Sequence, residues 1–252
     1  MKIFYFTGTG NSLYVAKRFG GELYSIPQVL KGDKYIFKDE KIGIVFPTYG
    51  LSAPIVVKDF IEKITLISPY IFVIMTCGNN NGDATKWIVS FAKKHNIDIS
   101  YSNNIKMIGN HIPIVNISKQ KSLDKNIEEN INHLIDDVNN NRKYINSGII
   151  IGGLLRNTLK IVKRVRHMDS PVNFSVNDSC IKCSTCIKVC PRANVSYNDS
   201  NEIIFSSHCE SCLSCVNNCP KKAIQVKGDR NPQDRFRNEH ISLKEIINSN
   251  SQ

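Results

Sequence analysis

The sequence has no hydrophobic run long enough to cross a membrane. The longest apolar stretches, such as Ile149 to Ile151 with nearby Leu154 and Leu155, fall far short of the roughly 18 consecutive apolar residues that a spanning helix needs. The opening residues, MKIFYF, also lack the basic leader, long apolar core and small-residue cleavage site of an export signal. We therefore expect a soluble, cytoplasmic protein without a transmembrane segment.

Cysteine is nearly absent outside one short segment. Of the nine cysteines, all but Cys77 lie between Cys180 and Cys219. In a reducing compartment, such clustering indicates metal or redox chemistry rather than disulfide bonds.

The N-terminal part alternates short apolar runs with segments that have apolar residues at three- and four-residue spacing. The runs are Ile3 to Phe6, Ile42 to Phe46, Ile71 to Thr76 and Ile105 to Ile108; the predicted helices are Ser12 to Gly20, Ala53 to Ile64, Ala84 to His95 and Asp124 to Val138. Near-continuous apolar strands between helices are typical of a buried parallel sheet with helices on both faces. The pattern predicts a doubly wound α/β domain over residues 1–143.

Three further regions follow. Residues 144–170 are predicted to form a basic linker helix, because basic and apolar residues interleave between Gly152 and His167. Residues 171–228 form a Cys-rich domain with short loops. Residues 229–252 are a polar tail, in which a few apolar residues predict one or two turns of a docking helix: Ile241, Leu243, Ile246 and Ile247.

The Cys-rich region contains an internal repeat with the spacing C-x2-C-x2-C-x3-C-P. This is the spacing of bacterial two-cluster ferredoxins, in which the fourth cysteine of each run ligates the other cluster. Three cysteines at these intervals can wrap three corners of a four-iron cluster, and the fourth begins a helix that leads away. The repeat predicts two [4Fe-4S] clusters, one held by Cys180, Cys183, Cys186 and Cys219 and the other by Cys209, Cys212, Cys215 and Cys190.

A structural zinc site is the alternative. Tetrahedral zinc is typically held by two CxxC or CxxH pairs separated by a loop, and two triplets followed by Cys-Pro do not fit that pattern. Because all eight positions are cysteine, we expect no open iron site and no substrate chemistry at iron.

A glycine-rich loop lies between the first predicted strand and the first predicted helix. Its backbone N–H groups, helix N-terminus and short hydroxyl side chains can surround a phosphate without a cation. A dinucleotide fingerprint needs a third glycine where Leu13 stands, and a Walker A loop needs a lysine and longer spacing. A glycine-rich turn without a ligand remains the alternative. The loop consists of Thr7, Gly8, Thr9, Gly10, Asn11 and Ser12.

This loop resembles the FMN phosphate loop of flavodoxins. Together with the eight cysteines, it makes nearly the whole chain similar to the flavodoxin-ferredoxin fusions known as the EFR family of ferredoxins. The tail from Arg230 to Ile247 also resembles the end of that family. The resemblance implies a flavodoxin-like, doubly wound five-stranded parallel sheet that binds FMN, followed by a small α+β two-cluster ferredoxin-like domain.

Flavodoxin-like folds bind flavin at the carboxyl ends of the strands, where the strand order reverses. The resemblance therefore implies two more flavin loops: Pro47, Thr48, Tyr49, Gly50 and Leu51, and Thr76, Cys77, Gly78, Asn79 and Asn80. By resemblance, the peptide of Gly50 could turn to bond flavin N5. Tyr49 could stack on the ring or be an ordinary half-buried loop tyrosine. A lone cysteine such as Cys77 is more typical of a core.

The chain has 33 Lys and Arg against 22 Asp and Glu, a formal charge of +11. Two oxidised clusters and an FMN phosphate would leave roughly +5. Such a charge favours acidic redox partners, for example a ferredoxin or a reductase, and we predict no nucleic-acid binding. Oxygen-sensitive clusters and an Asn-, Ile- and Lys-rich composition indicate an anaerobe.

The favoured function is electron relay between the clusters, FMN and protein partners. No Ser/His/Asp set or carboxylate pair adjoins the loops, so we predict no catalytic residue. The alternative is a flavin-dependent reductase of a small molecule or quinone, because no aromatic residue between Thr76 and Asp83 shields one flavin face. A redox sensor would need a recognisable DNA-binding element, and the basic segment alone is insufficient.

Overall fold

The computed structural model describes residues 1–50, 52–79, 82–112, 115–148, 174–229 and 231–251. Residues 149–170 of the predicted basic linker helix and the loop residues Leu51 and Asn80 lie outside these ranges. The start of that predicted segment, Tyr144–Ile145, is a short strand instead of helix. Within them, no helix combines the length and apolar character needed to cross a membrane.

The N-terminal part is built around one parallel sheet. Its strands are β1 (Lys2–Tyr5), β2 (Glu22–Ser25), β4 (Lys41–Pro47), β6 (Tyr70–Cys77), β7 (Tyr101–Lys106) and β8 (Tyr144–Ile145), in the order β2-β1-β4-β6-β7-β8. A separate parallel pair joins β3 (Ile36–Lys38) to β5 (Thr65–Ile67). The main sheet thus has six strands rather than the predicted five. The strand β8 is too short for an apolar run, so periodicity does not reveal it.

Helices cover both faces of this sheet. On one face, α1 (Asn11–Phe19) and α6 (Ile127–Asn139) contribute to a core with β1, β6 and β7. On the other, α3 (Ile55–Lys63) and α4 (Ala84–Lys93) pack with β4 and β6. Two short helices, α2 (Ile26–Val29) and α5 (Ile117–Lys121), complete this part. Every residue of β6 is buried because both faces are covered.

The fourth predicted run is displaced in the structure. We expected a strand over Ile105 to Ile108, but β7 spans Tyr101–Lys106. Its polar residues are compatible with a central strand because they are hydrogen-bonded: the Asn146 amide donates to Asn103 Oδ1 at 2.7 Å and to Asn104 Oδ1 at 3.0 Å. Their polarity hid the strand from a search for apolar runs.

The strand order reverses beside β1. The chain passes from β1 to β2 on one side and returns to β4 on the other, with both pairs parallel. At such a point the loops that follow the two neighbouring strands diverge and leave a crevice at the carboxyl edge of the sheet. The loops after β1 and β4 are the first two loops singled out in the sequence.

The C-terminal part contains two antiparallel strand pairs and two short helices. The strand β9 (Phe174–Val176) pairs with β12 (Ile224–Val226), and β10 (Val195–Tyr197) pairs with β11 (Ile203–Phe205). The helices α7 (Thr185–Lys188) and α8 (Ser214–Asn217) occupy equivalent places in the repeat. Val195, Val216 and Ile224 form its small core.

The tail returns to the N-terminal part. Its helix α9 (Leu243–Asn250) begins with a capping box, in which Ser242 and Glu245 each accept a backbone hydrogen bond. Ile241 and Ile246 are buried against the core that α1 and α6 share. Tyr5 and Ser249 bond through their hydroxyls at 2.9 Å. The tail therefore covers part of the N-terminal domain.

Candidate functional site

The first predicted cysteine set surrounds one cavity. Cys180, Cys183, Cys186 and Cys219 all line it. The pKa of Cys186 is raised to about 11, mainly by burial and also by the nearby thiols of Cys219, Cys180 and Cys183. The structure thus brings a cysteine of the second repeat to three of the first. We call this group the outer set, because Cys183 is exposed.

The second predicted set, which we call the inner set, is gathered in the same way. Burial raises the pKa of Cys212 well above its usual value, and Cys190, Cys215 and Cys209 add to the effect. Cys190 therefore crosses over from the first repeat. Cys186 contributes to the raised pKa of Cys215, so the two sets adjoin.

The cysteine surroundings fit iron-sulfur clusters. Backbone N–H groups donate to three sulfurs: Asn194 to Cys190 at 3.2 Å, Ala223 to Cys219 at 3.3 Å and Ser211 to Cys209 at 3.3 Å. Such bonds stabilise negative charge on ligand sulfurs and tune a cluster. In the described ranges, no three or more His, Cys, Asp or Glu side chains converge on a point that could hold a single ion. A four-iron cluster has a different requirement, since each cysteine bonds a different iron.

Both cysteine loops use left-handed backbone without glycine. Each cysteine of the second repeat lies 29 residues after its counterpart, as Cys209 does after Cys180. The left-handed positions follow the same offset. They are Lys182, Ser184 and Ala193 in the first repeat, and Ser211, Leu213 and Lys222 in the second. Each costs about 1–3 kcal/mol, a strain that persists mainly where a functional site requires it.

The three predicted flavin loops meet at the carboxyl edge of the sheet. The hydroxyls of Ser12 and Thr76 bond at 2.9 Å, and the Thr48 N–H donates to the Thr76 carbonyl at 2.8 Å. Pro47 lies opposite Thr76 in the sheet register. Thr48 Oγ1 is buried and has no hydrogen-bond partner in the described part of the chain. An unsatisfied hydroxyl at this edge is consistent with a polar ligand.

Three asparagines hold the carbonyl groups of the glycine-rich loop. The Asn250 amide donates to the Thr7 carbonyl at 2.8 Å, and the Asn218 amide donates to that of Gly8 at 3.3 Å. The Asn238 N–H donates to the Thr9 carbonyl at 2.8 Å. Because a trans peptide points its N–H away from its carbonyl, these bonds direct the following N–H groups to the opposite side. This arrangement fits a phosphate-binding loop.

Sequence reasoning missed these asparagines. Asn218 lies next to a cluster cysteine, and the other two belong to a tail that looks polar and unremarkable. A short bond from the Asn110 amide to Thr9 Oγ1 adds a fourth amide to the loop. No local pattern predicts contacts between residues so far apart in the chain.

The remaining loop residues complete the edge. Gly10 has a φ of 102° and precedes α1, and its N–H donates to Thr7 Oγ1 at 3.0 Å. The Asn11 amide donates to the Ile108 carbonyl at 3.0 Å. Thr7, Thr9 and Ser12 are buried.

Gly8 lies directly against the inner cysteine loop. A Cβ atom at Gly8 would lie 2.9 Å from the Cys212 carbonyl oxygen and 3.4 Å from the Tyr49 hydroxyl. Only glycine permits this approach without a shift of the backbone. The glycine-rich loop and the inner cysteine loop are thus in contact.

Tyr49 is a half-buried residue between these loops. Its ring packs edge-on against Phe6, with centroids 6.3 Å apart. Burial raises its pKa well above the usual value, and the charges of Cys212 and Glu210 add to this. Gly50 is exposed, with a φ of 54°. Stacking by Tyr49 and an N5 contact by Gly50 stay predictions.

The third loop is anchored by a lysine. Lys125 Nζ donates to the Gly78 carbonyl at 2.6 Å and to the Met107 carbonyl at 2.7 Å. Cys77 is buried, which raises its pKa, and it accepts a weak bond from the Asn104 amide at 3.7 Å. Asn79 is exposed. Lys125 was not a candidate, because nothing in the sequence connects it to this loop.

Glu210 joins the inner cysteine loop to the N-terminal part. Its carboxylate accepts the N–H of Ile55 at 2.5 Å and that of Val56 at 3.1 Å, at the start of α3. Arg192 bonds Asp59 in the same helix at 2.5 Å. Burial raises the pKa of Glu210 to about 7, although the two N–H bonds and Arg192 oppose the shift.

Residues 173–235 match the family model of the 4Fe-4S dicluster domain. This range contains all eight cysteines of the outer and inner sets. The C-terminal part is therefore a ferredoxin-like region whose iron-sulfur chemistry is electron transfer. No curated protein matches the chain.

Proposed function

We propose that the protein is an iron-sulfur flavoprotein that relays electrons between two [4Fe-4S] clusters, FMN and protein redox partners. The contact between Gly8 and Cys212 carries the proposal. It brings a loop suited to phosphate against a loop suited to a cluster. Cofactors held there would be neighbours without any movement of the two parts.

The ligand residues are those predicted from the sequence. The outer set would hold one cluster and the inner set the other. The loop from Thr7 to Ser12 would hold the FMN phosphate, and the loops Pro47 to Gly50 and Thr76 to Asn79 would border the flavin ring. The strand order and its reversal beside β1 support a flavodoxin-like domain. When bound, FMN would couple one- and two-electron chemistry.

The chain's own residues orient these sites. The asparagines on the Thr7 and Gly8 carbonyls would keep the N–H groups of Gly8 and Thr9 turned toward the phosphate, whereas the Gly10 N–H is held by Thr7 Oγ1. Glu210 holds the inner loop on α3. We assign residues 1–143 to the FMN domain together with β8 at Tyr144–Ile145, which belongs to its sheet, residues 146–170 to a linker, 171–228 to the ferredoxin-like domain and 229–252 to a tail that also serves the FMN site.

Anaerobic reductive titration tests the proposal. We expect about eight irons per chain, one FMN per chain, and EPR signals from both reduced clusters and a flavin radical. Iron, sulfide, zinc and flavin analysis on the same sample gives the cofactor content. Zinc in place of iron, or the absence of flavin, would refute the relay.

A flavin-dependent reductase is the second candidate. The part of the third loop that the structure describes, Thr76 to Asn79, contains no aromatic residue, and Asn79 is exposed. An unshielded flavin face could admit a small molecule or quinone. Steady-state turnover with quinones separates the two: a carrier gives single-turnover reduction only, whereas a reductase sustains turnover.

A further inference from the structure

The repeat places equivalent residues in opposite surroundings. Glu210 and Arg192 follow inner-set cysteines, and their counterparts 29 residues away, Ile181 and Lys221, follow outer-set cysteines. Arg192 Nε lies 4.0 Å from Glu210 Oε2. Ile181 and Lys221 both line the outer-set cavity. The two pairs therefore mark two related faces of the ferredoxin-like region.

The inner face, defined by Glu210 and Arg192, is covered by helix α3 of the N-terminal part. Glu210 has a side chain that is 2% exposed, and it binds the start of α3. Arg192 forms an ion pair with Asp59 of the same helix. Thus Arg192, the basic residue after Cys190-Pro191, pairs with the carboxylate of Asp59 where the inner face packs on α3.

The outer face is open in the structure. Ile181 is 57% exposed, and Lys182, Pro220 and Lys221 are also exposed. Lys182 and Lys221 line the cavity of the outer set, and no acidic residue lines it. Within the described ranges, Lys221 forms no ion pair of the kind that Arg192 makes.

We propose that the outer face, defined by Ile181, Lys182 and Lys221, docks an acidic one-electron carrier protein, as the inner face docks α3. This inference rests on the proposed function. The reduced carrier would lose one electron and the cluster of the outer set would gain it, with no bond made or broken. Carboxylates around the carrier's redox centre would pair with Lys182 and Lys221, and an apolar residue would cover Ile181.

Charge favours this occupant over a second copy of the chain. The chain carries a formal +11 and would keep roughly +5 with its cofactors, so two copies repel one another, whereas an acidic carrier is attracted. The inner face supports the same choice, because its Arg192 pairs with the carboxylate of Asp59 on α3.

The test uses the holoprotein and a chemically reduced, acidic two-[4Fe-4S] ferredoxin as the probe. The variant Lys182→Glu/Lys221→Glu reverses both charges of the outer face, and Lys94→Glu, at the exposed end of α4, is the control. Stopped-flow absorbance gives the bimolecular rate constant at several ionic strengths. Carbodiimide cross-linking with mass spectrometry gives the contact residues.

We expect the double variant to react at least about tenfold more slowly at low salt, to approach the parent at high salt and to lose its cross-links. The control should match the parent. Unchanged rates, cross-links elsewhere, or cross-linked copies of this chain would overturn the inference.

Cofactor content separates this inference from the proposed function. If the parent contains clusters and FMN but the double variant reacts normally, the docking face is wrong and the relay stands. If the parent lacks either cofactor, the relay itself fails.

Discussion

The two cysteine loops share their spacing and their left-handed backbone positions, but their surroundings differ. In the outer loop, burial acts to raise the pKa of Cys183, but the hydrogen bond with Thr185 and other contacts outweigh it and lower the pKa. At the equivalent position of the inner loop, burial raises the pKa of Cys212 well above its usual value. The next pair does not differ in direction, because burial raises the pKa of both Cys186 and Cys215. The motif therefore fixes the ligand geometry, whereas the contacts around it decide how easily negative charge is accommodated.

The largest effect is expected from replacing Cys219 or Cys190, the two cysteines that each join the set formed mainly by the other repeat. Cys219→Ser should disturb the same cluster as Cys180→Ser, and Cys190→Ser the same cluster as Cys209→Ser. Iron should fall from about eight to about four per chain in each variant. The EPR spectra of the variants should fall into these two pairs. If Cys219→Ser instead matched Cys209→Ser, each repeat would hold its own cluster.

Truncating Glu210 on the inner face should lower the free energy of unfolding more than truncating its counterpart Ile181 on the outer face. Glu210→Ala leaves the N–H groups of Ile55 and Val56 without their acceptor, which should lower the free energy of unfolding by about 1–3 kcal/mol. Ile181→Ala removes an exposed side chain and should change stability by less than about 0.5 kcal/mol. Anaerobic denaturant titration measures both. Equal losses would mean that the inner face is not held by Glu210.

Adding a methyl group at Gly8 should push the glycine-rich loop away from the inner cysteine loop. Gly8→Ala would place a carbon 2.9 Å from the Cys212 carbonyl oxygen, and the backbone shift should cost about 1–3 kcal/mol. FMN should also bind more weakly in a fluorescence titration. The control is Gly32→Ala, whose new carbon would make an ordinary 3.6 Å contact with the Val29 carbonyl. Unaltered FMN binding in Gly8→Ala would argue against the loop as the phosphate site.

Reversing one hydrogen bond should affect FMN without affecting the clusters. In Asn250→Asp the donor to the Thr7 carbonyl becomes an acceptor, so the loop loses its orientation. We expect FMN to bind about tenfold more weakly, which equals about 1.4 kcal/mol. Asn248→Asp makes the same chemical change at an exposed position of α9 and should bind FMN normally. A loss of iron in Asn250→Asp would point to general unfolding instead.

Among the contacts that hold the inner face on α3, the smallest effect should come from the partly exposed ion pair between Arg192 and Asp59. Asp59 and Arg192 side chains are 34% and 26% exposed, so Asp59→Asn should cost no more than about 1 kcal/mol. The loss should shrink further as salt is added. A cost larger than that of Glu210→Ala would reverse the ranking of the two contacts.

Local signals predicted much of this molecule. Buried runs such as Ile71 to Thr76 are recognisable because both faces of their strands are apolar, and the eight cysteines are recognisable by their spacing. β7 was misplaced because its polar residues are satisfied by a distant asparagine, and β8 has too few residues to show a period.

The contacts of the proposed flavin loops could be predicted from the sequence only in part. The glycine-rich loop is visible because its residues are contiguous, and its contact with Cys212 follows from no sequence pattern. The same holds for Lys125, Asn238 and Asn250, whose partners are far away in the chain. Long-range polar contacts depend on the packing of whole elements, and a single sequence does not encode them as a local motif.

The bond between Asn250 and Thr7 also sets an order of events during synthesis. The two residues are 243 positions apart. At about 5–20 residues per second, the ribosome needs roughly 12 to 50 s to go from one to the other. The glycine-rich loop therefore lacks the donor to its Thr7 carbonyl until Asn250 has been synthesised. If this loop holds the FMN phosphate, as we propose, that site is completed only after the ferredoxin-like region has been synthesised.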